Sequence, residues 1–170
     1  AQVRVGVEDP TRVRVTTMEY DGYNRLVGVV DAMGNEASQQ YDANSNRVAV
    51  RIDGELDQGF GLQPVRLYED VRVYDEADRL VRKDIQHFYP ETQSPIGDGV
   101  ASTHIEYDAA SRVARVENDN GNDLDITRDT LGHVSELRDA AGNLVNIQFT
   151  ENQRVSQITR TDVSTSGAPD

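Results

Sequence analysis

The sequence predicts an all-β chain of tandem antiparallel β-hairpins in one curved sheet. Three observations carry that. A Tyr-Asp motif recurs at Tyr20-Asp21, Tyr41-Asp42, Tyr74-Asp75 and Tyr107-Asp108, with weaker copies at Arg128-Asp129 and Phe149-Thr150. Turn signals fall at alternating steps of 10 and 11 residues, at 21, 31 and 42 and then at 108, 118, 129, 139 and 150. The stretches between them alternate apolar and polar residues, and apolar residues at helical spacing are interrupted by Asp, Asn or Gly. Self-similarity at a fixed period decides the architecture first.

In chain order, residues 1–19 read as a leading hairpin. Val3-Arg4-Val5-Gly6-Val7 alternates, Glu8-Asp9-Pro10-Thr11 turns, and Arg12-Val13-Arg14-Val15-Thr16 alternates again. Residues 20–161 form the repeat. Each copy runs Tyr-Asp, a short turn, then Arg and an aliphatic residue; the motif residues are Tyr20, Asp21 and Arg25; Tyr41, Asp42 and Arg47; Tyr74, Asp75 and Arg79; Tyr107, Asp108 and Arg112. A second turn lies between copies, as in Asp31-Ala32-Met33-Gly34-Asn35 and Asp139-Ala140-Ala141-Gly142-Asn143.

The turn chemistry has a mechanism. Asp or Asn at the first position accepts from a backbone N–H two residues on. The fourth position calls for positive φ, which Gly34, Gly121, Gly132 and Gly142 adopt freely. This is the pattern of a type I turn followed by a left-handed residue. Asn24 and Asp78 suit that position as well; Ser45, Ser111 and Gln153 suit it poorly, so their turns are expected to differ in detail. The Tyr before each Asp ends a strand, and the four tyrosines are expected to share a face as a ladder.

Two steps of 33 residues contain inserts, near 53–64 (DGELDQGFGLQP) and 89–99 (YPETQSPIGDG). Both are rich in Gly, Pro and polar residues and read as surface loops, pinned by Phe60, Phe88 and Tyr89. The tail 162–170 is small and polar.

The repeated Tyr-Asp-x-x-(Gly/Asn/Ser)-Arg-(Leu/Val), followed by Asp-x-x-Gly-Asn, resembles the YD repeat of bacterial rearrangement-hotspot (Rhs) proteins, Tc toxin C components and teneurins. The resemblance covers about residues 17–160. It implies a segment of a hollow β-shell that encloses a toxin or other polypeptide cargo, in a secreted or cell-surface bacterial protein. The partners implied are the rest of the parent shell and its cargo.

Composition narrows the alternatives. Apolar residues are 36% of the chain, with no Trp and three Phe, which suits a sheet with one modestly apolar face better than a large core. A net charge of −13 repels phosphate backbones, so nucleic acid is not an expected partner. No Cys is present, which removes disulfides and thiol chemistry. No apolar run approaches membrane-spanning length, and no signal peptide opens the chain, which is read as part of something longer.

No catalytic, cofactor or metal site is expected, and no enzymatic activity. His87, His104 and His133 lie in different repeats without ligand spacing. The run Asn118-Asp119-Asn120-Gly121-Asn122-Asp123 lacks the spaced ligands and distal Glu of a calcium loop. The alternative function is a carbohydrate- or protein-binding module, using the tyrosines or the inserts. With uncovered edges, the chain is also expected to self-associate.

Overall fold

The computed structural model describes residues 2–5, 14–57 and 62–163. The predicted turn at Glu8–Thr11, Phe60 and most of the tail lie outside the described residues. Among the described residues thirteen strands pair antiparallel, each with its sequence neighbour: β1 (Gln2–Val5), β2 (Arg14–Tyr20), β3 (Leu26–Val30), β4 (Glu36–Tyr41), β5 (Arg47–Asp57), β6 (Leu62–Tyr74), β7 (Leu80–Phe88), β8 (Pro95–Tyr107), β9 (Val113–Asn118), β10 (Asp123–Arg128), β11 (Val134–Asp139), β12 (Leu144–Phe149) and β13 (Val155–Thr161). The all-β class and the tandem hairpins are as the sequence predicts. Contacts divide the chain within β8 into two units, Ala1–Ala101 and Ser102–Asp170.

In the first unit the Tyr-Asp turns at 21, 42 and 75 all fall at one end of the strands, because consecutive antiparallel strands return the chain every second turn. In the second unit the turns at 108, 129 and 150 do the same, and those at 118 and 139 lie at the opposite end. Every Tyr-Asp hairpin also carries a bulge directly before the aromatic position. Glu19 faces Gly28 but Tyr20 faces Leu26, leaving Val27 over; Val48, Val81 and Ala114 are left over in the same way. An extra residue on one strand frees backbone groups from the ladder and increases local twist.

Directly paired residues of antiparallel strands point to the same side, so register assigns the faces. In the second unit one face carries the rows Ile105–Val116–Leu124, Ile126–Leu137–Val145 and Ile147–Ile158. The other carries Glu106–Arg115–Asp125–Arg138. The first unit is arranged likewise: Gln39–Val50–Asp70–Ile85 and Ala37–Ile52–Tyr68 on the tyrosine side, with Arg51–Glu69 and Arg82 on the other. Ion pairs lace this second side, Arg51 to Asp53 at 2.7 Å and Arg82 to Asp84 at 2.8 Å. Arg115 reaches both Asp123 and Asp125.

The apolar rows are only half-buried. Phe88 is the one apolar side chain buried among the described residues, and Asp70, 1% exposed, is the one buried charged side chain. Asp70 sits between neighbours on its own strand. The Tyr68 hydroxyl donates to Oδ2 at 2.7 Å, and Arg72 donates to Oδ2 at 2.9 Å while its Nε stands 2.8 Å from Oδ1. Desolvation pushes the Asp70 carboxyl up, but the Arg72 and Tyr68 hydrogen bonds outweigh it and hold the group below its ordinary value.

The inserts differ from the loops expected. Residues 53–57 continue β5 and pair with β6, from Asp53–Arg66 to Asp57–Leu62. The hairpin simply lengthens, because a register already set by the inner rows goes on satisfying backbone groups outward. Gly54 reads as a turn residue in the sequence but is a close-approach position; a Cβ there would stand 2.5 Å from Leu67 and 2.6 Å from Asn35. In the second insert only 89–94 is a loop, closed by Tyr89 N–H to Ser94 O at 2.9 Å and Gln93 N–H to Tyr89 O at 2.7 Å. Pro95 already begins β8. Phe88 does pin this region: the Arg66 guanidinium lies 4.0 Å over its ring, and Gln93 donates to the Arg66 carbonyl at 3.1 Å. Tyr89 remains half-exposed.

Ser45, Ser111 and Gln153 have φ of 72°, 61° and 60°, so their turns match the glycine-bearing ones rather than departing from them. Holding an L-residue there costs about 1–2 kcal/mol, part of which glycine returns through its larger unfolded-state entropy. Gln153→Gly is therefore expected to stabilise the chain by roughly 0.5–1 kcal/mol in urea unfolding. Gly132→Ala should destabilise it, since φ is 95° and the new Cβ would press on the Arg112 guanidinium.

Candidate functional site: the turn row

The residues singled out by the motif come together as a row of turns. Among the described residues nine turns share one geometry. In each, the N–H of the fourth residue donates to the carbonyl of the first, and the N–H of the first donates to the carbonyl of the fifth; for Asp75 these distances are 3.0 and 2.9 Å. The Asp side chain repeats the closure. Asp75 Oδ1 accepts from the N–H of Ala77 at 2.9 Å and of Arg79 at 3.0 Å, and Oδ2 accepts from Arg79 Nε at 2.8 Å. Asp21 with Arg25 and Asp108 with Arg112 do the same.

The fifth position is the partner position, and it accepts several donors. Asn35 and Asn143 serve it for Asp31 and Asp139, each at 2.8 Å. His133 Nδ1 stands 3.0 Å from Asp129 Oδ2. In the second motif the partner is Asn46, at 3.1 Å from Asp42. Arg47 was expected there from the motif, but it lies one residue further on, pairs across the strands with Tyr41, and donates to Gln39 at 3.1 Å. Counting four residues from each Asp, rather than matching to the next Arg, would have found Asn46.

The turns also reach one another. Arg25 Nη1 donates to the Asp42 carbonyl at 2.9 Å and to Ser45 Oγ at 3.2 Å. Asn44 and Asn46 donate to Asp78 at 2.9 and 2.6 Å. In the second unit Arg112 donates to the Gly132 carbonyl at 3.4 Å. The Arg25 guanidinium lies 4.8 Å from the Tyr41 ring, and His133 stacks on Phe149 with centroids 4.6 Å apart.

The tyrosines act through their hydroxyls. Tyr41 donates to the Leu26 carbonyl at 3.0 Å and Tyr74 to the Arg47 carbonyl at 3.2 Å. Each acceptor is the residue beside a bulge. Arg128, in the Tyr position of its motif, donates to the Val113 carbonyl at 2.7 Å. Tyr20 is exposed, and among the described residues its hydroxyl meets only the Met18 sulfur, at 3.6 Å.

The sequence reading missed Asp70 with Tyr68 and Arg72. Its signal was three polar-headed residues two apart, on the strand face that elsewhere is aliphatic. Gly34, Gly121, Gly132 and Gly142 all take positive φ, between 79° and 95°. Among the described residues no group of three or more His, Cys, Asp or Glu is placed to hold a metal ion.

The fold and the turn row define an all-β hairpin-repeat protein. No family model matches the chain, and no curated protein matches it in sequence. Among solved structures, the TcdB2–TccC3 chain crystallised as TcdB2-TccC3-Cdc42 is similar at 14% identity over 97% of this chain and 11% of its own, with a TM-score of 0.48. TcdB2–TccC3 without its hypervariable C-terminal region gives 13% identity over 97% of this chain and 10% of its own, with a TM-score of 0.49. A Photorhabdus luminescens Tc holotoxin pore gives 15% over 90% and 9%, at 0.47. The chain thus spans about a tenth of the length of these structures.

Two outcomes follow from the row. Tyr41→Phe should cost about 1 kcal/mol, the worth of one intramolecular hydrogen bond, whereas Tyr20→Phe should leave the urea midpoint unchanged. The second outcome is acid sensitivity. Asp31, Asp75 and Asp139 are held below the ordinary carboxylate value of 3.8 chiefly by the side chain four residues on, and Asp21 and Asp108 chiefly by the backbone N–H there. At Asp42 and Asp129 desolvation is the largest influence and pushes up, but the hydrogen bonds together outweigh it. A depressed folded value means stability that is complete above 3.8 and lost as pH falls through the folded values. Melting temperature should stay level down to about pH 5 and then drop steeply below pH 4; an unchanged melt at pH 3 would contradict the turn row's role.

Proposed function

We propose that this chain is a non-catalytic wall segment of a larger YD-repeat β-shell that encloses a polypeptide cargo in a secreted or cell-surface protein. One observation carries the reading: in each unit the sheet has a charged side laced by ion pairs and an apolar side left half in solvent. A half-exposed apolar face of this kind calls for a cover. A shell meets the need by putting a cargo or an opposite wall there. The resemblance of the repeated motif supports the same reading.

A binding-module reading draws on one feature. Tyr23 is 84% exposed and stands beside Arg25 over a shallow cleft that Asp42, Ala43 and Ser45 complete. Against it, the Tyr41 and Tyr74 hydroxyls are committed to backbone carbonyls.

Limited proteolysis of the full-length chain that contains this segment separates the two. A polypeptide enclosed by the shell should survive a broad-specificity protease and be digested once the sheet is unfolded in acid. Digestion at the same rate before and after unfolding would overturn the shell. Binding of the purified chain to a glycan array, lost in Tyr23→Ala, would install the module instead.

A further inference from the structure

We propose that Lys83 and Arg72 form a carboxylate-receiving site on the tyrosine side of the first unit, occupied by an Asp or Glu side chain of the enclosed polypeptide. The proposal rests on the wall-segment reading and deepens it by stating what the cargo carries at one point.

The hairpins closed by Tyr-Asp-type turns share one register. In each, the residue two before the aromatic position faces the fourth residue of the returning strand. Five of these pairs are Met18–Val29, Gln39–Val50, Ile105–Val116, Ile126–Leu137 and Ile147–Ile158. The returning strand supplies an aliphatic residue every time. In the hairpin closed by Asp75 the pair is Arg72–Lys83. The repeat therefore folds without charge at this position, and two cations stand there in one hairpin alone. Lys83 is the single lysine of the 170 residues.

Directly opposed side chains of antiparallel strands have Cβ atoms about 5 Å apart, and like charges so placed repel. One carboxylate on this side answers them. Asp70 takes Arg72, its Oδ1 standing 2.8 Å from Arg72 Nε. The ion pairs among the described residues do not include Lys83, which is half-buried. Arg47 adds a third cation to the same side and donates to the neutral Gln39 at 3.1 Å. The carboxylates next in sequence, Glu69 and Asp84, fall on the opposite side by register. An aliphatic cover over this pair would take two facing cations out of water with one counterion between them, at a cost in desolvation. A carboxylate laid between Lys83 and Arg72 removes that cost through charge-assisted hydrogen bonds, and Val50 and Ile85 beside it suit apolar neighbours.

The single lysine makes the test specific. Carbodiimide coupling joins an amine to a carboxylate in contact with it and adds no spacer. Applied to the full-length chain that contains this segment and then digested for mass spectrometry, it should join Lys83 to an Asp or Glu of the enclosed polypeptide. Lys83→Val restores the aliphatic residue of the other hairpins and removes the like-charge pair, so the purified variant should unfold at a higher urea midpoint than the parent. Coupling of Lys83 to Asp70 or to another carboxylate of the wall would overturn the proposal, as would no coupling at all. A lower midpoint in Lys83→Val would do the same, since Lys83 would then serve the Asp70 cluster. A cargo that resists protease while Lys83 stays uncoupled leaves the shell standing and removes this inference alone; a cargo digested before unfolding removes the shell.

Discussion

A single carboxylate with three donors around it organises this structure. In each complete Tyr-Asp turn, Asp accepts from two backbone N–H groups and from the fifth residue's side chain, while its own backbone closes the loop on both sides. The turn is therefore specified within five residues. Strand direction, hairpin register and the position of the next turn follow from it. Because each closure is local and each strand pairs with its sequence neighbour, the loop-closure entropy of any one pairing is small. That is how a chain with one buried apolar side chain among its described residues keeps a regular sheet.

What the turns do not supply is cohesion between hairpins, and the row of cross-links does. Arg25 to Asp42, Asn46 to Asp78 and Arg112 to Gly132 are the same device at different points of the chain. The Tyr41, Tyr74 and Arg128 bonds to carbonyls beside the bulges are a second device. Bulges free backbone acceptors, and the long polar-tipped residue on the next hairpin satisfies them. A motif with Tyr and Arg at fixed distances from Asp is thus a motif for joining hairpins as much as for forming them. The substitutes follow from the same logic. Arg128 does the work of a tyrosine because the task is to donate to a carbonyl. Asn35 and Asn46 do the work of an arginine toward the carboxylate because only one donor is needed there.

The two faces then divide the remaining work. Paired charges keep one side in water, where exposed ion pairs contribute little stability and hold solubility and register. The other side is apolar, half-covered, and interrupted in the first unit by Asp70. A carboxylate buried with an arginine and a tyrosine is weak evidence for stability, yet it penalises any register that would strand it without partners. Such a surface makes sense as part of a larger assembly, which is the basis of the wall-segment proposal.

The all-β class, the tandem hairpins, the turn positions and the absence of a conventional core were legible in the sequence. They depend on local chemistry: an Asp two residues before an N–H, a residue tolerating positive φ, and alternation along six-residue strands. Arg47 was misplaced by reading the motif as letters, where the carboxylate measures a fixed four residues and finds Asn46. The rest needed the tertiary structure. Whether Gly54 lies in a loop or in a strand depends on Leu67 and Asn35 crowding its α-carbon. Whether residues 53–57 and 95–99 are loop or ladder depends on a register fixed elsewhere in the hairpin. The use of Tyr41 and Tyr74 as hydrogen-bond donors depends on acceptors that a bulge exposes 15 and 27 residues away. A sequence records its own donors, but which acceptors are left over is decided only when the strands have paired.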